Sequence, residues 1–204
     1  MKTRAMSCIL AGLLFAQVAA AAPINIVSDT TWRSTGTLTS GWQNLGFDDS
    51  AWGFSTVAMI GGAPYPYAPG SFIPGTTAQH MWDGTYPTWP QTAYFRKSFD
   101  LPGAPLPSQA LIRLDDGFEL YLNGTLIDQH PGIQPGLGYV RAVDLTGYLQ
   151  PGANVFAIKA WDMSGGWRSV LFDAHIDAVP APGALVLGVF GAGTVRWLRR
   201  RRWV

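Results

Sequence analysis

The sequence has one cysteine, Cys8, and it lies inside an apolar run near the N-terminus. No disulfide can therefore staple the domain that follows, and a hydrophobic core has to hold it together. Helical periodicity is scarce between the two ends, and the two long apolar runs, Ala5 to Val18 and Gly183 to Val195, are terminal. Positive charge is scarce as well. Between Asp29 and Asp177 seven basic residues face all thirteen acidic ones, a net of −6, which leaves nucleic acid and other polyanions without electrostatic support. The three histidines, His80, His130 and His175, share no ligand spacing and have no cysteine partner, so no zinc site and no cofactor are expected. There is no GxSxG nucleophile elbow.

The two ends read as addresses. Met1-Lys-Thr-Arg4, the apolar run and Ala19 to Ala22 follow the basic, apolar, small-residue order of a secretory signal peptide, with cleavage expected after Ala21. At the other end stand a proline pair, a short apolar run, and arginines at 196 and 199–202. The run falls below the roughly 17 to 25 residues of a comfortable span. Snorkelling of Arg196 and extension through Trp197 and Leu198 predict a short transmembrane helix, with its basic end on the cytoplasmic side. Val179, Pro180 and Pro182, the apolar run, and Arg199, Arg200, Arg201 and Arg202 together resemble the PEP-CTERM sorting signal of exopolysaccharide-producing Gram-negative bacteria. Ala181 stands where that family usually has glutamate. The resemblance implies an exosortase-type membrane processing enzyme as partner, transient inner-membrane anchoring, and delivery to the cell surface or beyond.

The expected organisation is a signal peptide over 1–21, one domain over 22–178 and a sorting tail over 179–204. Within the domain, β-favouring runs begin at Ile24, Ala93, Ala110, Phe118, Tyr139, Asn154 and Ser169, punctuated by Gly, Pro, Asn and Asp. Their alternation predicts antiparallel sheets, with Phe156, Ile158 and Ala160 on a buried face and Val155, Ala157 and Lys159 on a wetter one. A two-sheet sandwich is the economical fold. The stretch 61–91, rich in Pro, Gly and rings, is too long for a plain connection and too aromatic for disorder, so it reads as a loop covering part of the sandwich.

"LGFDDSAW" at Leu45, "TAYFRKSFDLP" at Thr92 and "DDGFELYLNGTLI" at Asp115 resemble the galactose-binding-like jelly roll, above all the sugar-binding domains of β-galactosidase-type and rhamnosidase-type glycoside hydrolases. That resemblance implies an all-β jelly-roll sandwich in which variable loops hold the ligand. Adjacent Asp115 and Asp116 point to opposite faces of a strand and cannot both flank one glycosidic bond from it. They read as a corner before Gly117, followed by a hairpin that carries Phe118, Leu120 and Leu122 inward and turns at Asn123-Gly124.

Two groups combine rings with charge: Trp82, Asp83, Tyr86 and Trp89 in the long loop, and Trp167 with Arg168 after Gly165-Gly166. Rings stack on the C–H faces of sugars while neighbouring charges hold hydroxyls, so these six are the candidate carbohydrate contacts. The structural alternative is that the rings plug the ends of the sandwich. The expected function is a non-catalytic module for a neutral or weakly charged polysaccharide; a small surface hydrolase and a purely structural envelope protein are its rivals.

Overall fold

The computed structural model describes residues 23–60, 63–84, 91–132, 139–163 and 167–180. The expected signal peptide lies outside these residues, as do all of the expected C-terminal helix and the arginine cluster. Among the described residues no helix is long and apolar enough to cross a membrane.

The described strands run, in chain order, Ile24–Val27 (β1), Arg33–Thr35 (β2), Gly53–Phe54 (β3), Thr56–Val57 (β4), Met59–Ile60 (β5), Ala63–Pro64 (β6), Met81–Trp82 (β7) and Gln91–Leu101 (β8). They continue with Gly103–Pro105 (β9), Gln109–Asp115 (β10), Gly117–Leu122 (β11), Thr125–His130 (β12), Arg141–Asp144 (β13), Gly152–Asp162 (β14), Ser169–Ile176 (β15) and Ala178–Pro180 (β16). One sheet has the order β13-β10-β15-β7-β4, with β1 also on β15; the other has the order β12-β11-β14-β8-β2-β3. Pairing within both is antiparallel. The expected all-β sandwich is what the described residues form.

The core lies between the sheets. Alternate residues of β10 and β15 (Ala110, Ile112, Val170, Phe172, Ala174, Ile176) meet Phe95, Phe118, Leu120, Leu122, Phe156 and Ile158 of the facing sheet. Trp32, fully buried, packs edge-on to Phe172 at 5.5 Å and donates its indole N–H to the Val27 carbonyl at 2.7 Å.

Asp116 is where the chain leaves one sheet for the other, between β10 and β11. Gly117 is required there, because a Cβ at this position would come within 2.4 Å of the Trp161 indole. The hairpin follows as its residues predict: Phe118, Leu120 and Leu122 are buried, and Asn123 and Gly124 take φ of 53° and 87°, the two left-handed positions of a type I′ turn.

The wetter face expected at Val155 and Ala157 needs correction, since both are fully buried. Residues 42–52 fold over it and seat Trp42 against Tyr94 and Ala157, with Phe47, Trp52 and Tyr121 around them. Arg96, 1% exposed, pins this cover. Its Nε donates to Asp49 at 2.8 Å, Nη1 donates to the Trp42 carbonyl and, at 3.1 Å, to that of Asn44, and Nη2 donates to the Phe47 carbonyl at 3.3 Å. The long loop does the same for the other sheet: Ile73 and Ala78 seal Leu171, with Phe72 and Leu111 packed alongside.

Candidate functional site

At the Asp115 end of the sandwich the two sequence-separated groups come together through a residue the sequence reading did not single out, Gln91. Gln91 opens β8 directly opposite Asp162, the last residue of β14. Its Oε1 accepts from the Trp82 indole N–H at 3.1 Å and from Nη1 of Arg168, while its Nε2 reaches Asp83 at 3.5 Å. Arg168 in turn donates from Nε to Asp162 at 3.1 Å. Asp162, 2% exposed, is thereby neutralised across the mouth of the core. A carboxylate so deep is tolerated only with a paired cation and satisfied hydrogen bonds.

The six expected contacts separate on this frame. Trp82 is 4% exposed and packs edge-on to Phe95 at 5.8 Å, so its ring plugs the end of the sandwich and offers no face for stacking. The reason is its place on β7, beside β15, with its neighbour Met81 paired to Val170. Arg168 is largely buried, Asp83 is partly exposed, and Trp167 is partly buried against the core. Tyr86 and Trp89 lie outside the described residues.

Trp167 belongs instead to a ring cluster whose other members come from the long loop. It stands edge-on to Tyr65 at 5.5 Å and tilted by 31° against Tyr67 at 5.2 Å. Tyr67 is 41% exposed. Beneath the shelf Tyr65 stacks on His80 at 4.2 Å, and His80 Nδ1 lies 3.2 Å from Ser169 Oγ. Arg113 stacks over Phe72 at 3.7 Å and donates to the Tyr65 hydroxyl at 3.4 Å. Tyr67 was legible only as one ring among several in the loop; nothing local marks it as the most exposed of the described ones.

Two titrations are displaced here. Burial, reinforced by the charge of Arg113, pushes His80 down to about 4, so its ring is neutral. Burial also raises Asp115 to about 6, with repulsion from Asp116 and Asp162 adding to it and Arg113 opposing it. Asp116 accepts from the Met163 backbone N–H at 2.5 Å. Among the described residues no group of three or more His, Cys, Asp or Glu is arranged to hold a metal ion. Asp128 is forked to Arg141 at 2.7 and 2.6 Å.

No family model and no curated protein matches the chain. Among solved structures it is similar to a β-glucuronidase from glycoside hydrolase family 2, at 15% identity and a TM-score of 0.47, over 74% of this chain and 18% of that one. It is also similar to a Bacteroides uniformis β-glucuronidase, at 16% identity and a TM-score of 0.44, over 75% of this chain and 18% of the other. A third is a Streptomyces avermitilis α-L-rhamnosidase complexed with L-rhamnose, at 18% identity and a TM-score of 0.38, over 45% and 11%. The chain thus spans less than a fifth of the length of these proteins.

Proposed function

We propose that this chain is an exported, non-catalytic carbohydrate-binding module with a galactose-binding-like jelly roll, sorted by its C-terminal signal through an exosortase-type enzyme. The observation that carries the binding part is exposed Tyr67 packed on partly buried Trp167, which is next in the chain to Arg168 and through it joined to Gln91 and Asp83. A ring face beside hydrogen-bonding groups suits a sugar, whose C–H face stacks while its hydroxyls are read at the edge. The net negative charge of the domain favours a neutral or weakly charged polysaccharide. One ring stacked on a sugar is worth about 0.5 to 1.5 kcal/mol. Single sites are therefore weak, and useful retention comes from many copies on one polymer. Export and sorting are supported by the order of parts at the two ends of the sequence.

Affinity electrophoresis through gels containing neutral polysaccharides tests the binding part. Tyr67→Ala is expected to weaken retardation about two- to tenfold while leaving the unfolding midpoint within a few degrees. Unchanged retardation in both Tyr67→Ala and Trp167→Ala overturns it.

The raised Asp115 favours a second reading, a glycoside hydrolase with Asp115 as general acid. Its nearest carboxylate partners argue against it: Asp162 is buried under Arg168 and Asp116 is engaged with the Met163 amide. Loss of a measurable hydrolytic rate in Asp115→Asn would favour the enzyme.

A further inference from the structure

The opposite end of β10 and β15 carries a second place with the makings of a site. On the outer face of that sheet Asn25 of β1 is paired with His175 of β15, His175 with Gln109 of β10, and Gln109 with Asp144 of β13. All four side chains are exposed. With strands about 4.8 Å apart, this polar row runs straight across the sheet for about 14 Å. One step inward, Asp173 sits beside Leu111. A groove of about 720 Å³ opens over both rows, within the size range of small-molecule sites.

Its far wall is the long loop at Ile73 to Thr76, held to the sheet by burial of Ile73 and Ala78 with Leu171 and by the Gln79 N–H donating to the Ser28 carbonyl at 2.6 Å. The floor is organised as well. His175 Nδ1 lies 2.7 Å from Asn25 Oδ1, and its Nε2 lies 3.8 Å from the Asp177 carboxylate. Asp144 accepts from the Thr146 N–H at 2.8 Å.

Charge decides the ligand class. Asp144, Asp173 and Asp177 line the groove, and among the described residues no lysine, arginine, phenylalanine, tyrosine or tryptophan does. No large ring face is offered for stacking, and the three carboxylates repel anionic glycans. Asn25 and Gln109 offer paired donors and acceptors suited to hydroxyls, while the carboxylates suit ammonium groups. We propose that this groove binds a glycan segment carrying free amino groups, such as a run of de-acetylated hexosamine. The row is longer than one sugar ring, so an oligomer binds better than the monosaccharide. This site is independent of the ring shelf, which lies at the other end of the same strands.

The test is calorimetric titration of the full chain with glucosamine oligomers, with N-acetylglucosamine oligomers of equal length and with spermidine, at low and high salt. Only the glucosamine oligomers are expected to bind with appreciable affinity, more weakly as salt rises. Asp173→Asn and Gln109→Ala, at partly or fully exposed positions, should each weaken them about tenfold, whereas Tyr67→Ala should leave them unchanged. Equal binding of the acetylated oligomers overturns the proposal, and so does absence of binding at millimolar concentrations. Spermidine competing as well as the oligosaccharide overturns it too, by reducing the groove to a counter-ion site. Failure of the ring shelf alone shows as loss of neutral-polysaccharide retention with glucosamine binding intact.

Discussion

Replacing Asp115 by asparagine isolates the electrostatics of the ring-bearing end. The folded carboxyl titrates at about 6 against an ordinary value of 3.8. A raised folded value means the native state holds the proton more tightly. The stabilisation is complete below pH 3.8 and is lost as pH rises through about 6. At ~1.4 kcal/mol per pH unit the ceiling is about 3 kcal/mol; because Asp115 is only partly buried, screening by solvent brings the expected change to about 1 to 2 kcal/mol. His80 has the opposite sign. Its folded value of about 4 lies below the ordinary 6.5, so its contribution is present above pH 6.5 and is lost as pH falls through about 4. Between pH 4 and 6 the two slopes oppose each other in the wild type, and Asp115→Asn leaves that of His80 alone. Measured by urea titration with tryptophan fluorescence at half-unit pH intervals, the variant should gain about 1 to 2 kcal/mol on the wild type between pH 3.5 and 7.5. A flat difference curve, or one that falls with pH, refutes the reasoning.

Arg96→Ala strands Asp49 and three carbonyls under the 42–52 cover and should cost about 3 to 5 kcal/mol; Arg96→Lys should recover little, because one ammonium cannot reach all four acceptors. Gly117→Ala should lower stability by about 1 to 3 kcal/mol and shift the fluorescence of the displaced Trp161. Trp82→Ala should cost about 3 to 5 kcal/mol in the same titrations, against less than about 1 kcal/mol for Tyr67→Ala at its exposed position. In a strain with an exosortase, mass spectrometry of the released protein should find a chain lacking the tail; a released chain still ending at Val204 refutes the sorting proposal.

Much of the fold could be read locally. Ser169 to Ile176 alternates, and it is a strand from end to end; Asn123-Gly124 had the chemistry of a tight turn, and it makes one. The corner at Asp115 to Gly117 was also visible, because turn residues act through their own backbone. What escaped were consequences of distant chain. The outer face of β14 alternates as if half-wet, yet Trp42, more than a hundred residues away, closes it. Trp82 reads as a displayed loop ring because the short strand that buries it has no periodicity to detect. Gln91 carries no signal at all, and becomes the joint of the site only because register sets it opposite Asp162. The polar row of the groove is likewise a product of register across four strands, invisible within any one of them.

The pairing of β1 with β15, Ile24 against Ile176, also sets an order of events. The first of the described strands has its partner near the far end of the domain, so β1 can pair only after the chain has spanned nearly all of it. Local pairings such as β11 with β12 need only a turn, whereas closing the loop between β1 and β15 is among the costliest steps in chain entropy. Any truncation short of Ile176 leaves β1 without its ladder and Ile26 without its cover. Completion of the sandwich is therefore checked across its whole length: β1 can dock only where the chain through Ile176 is in place.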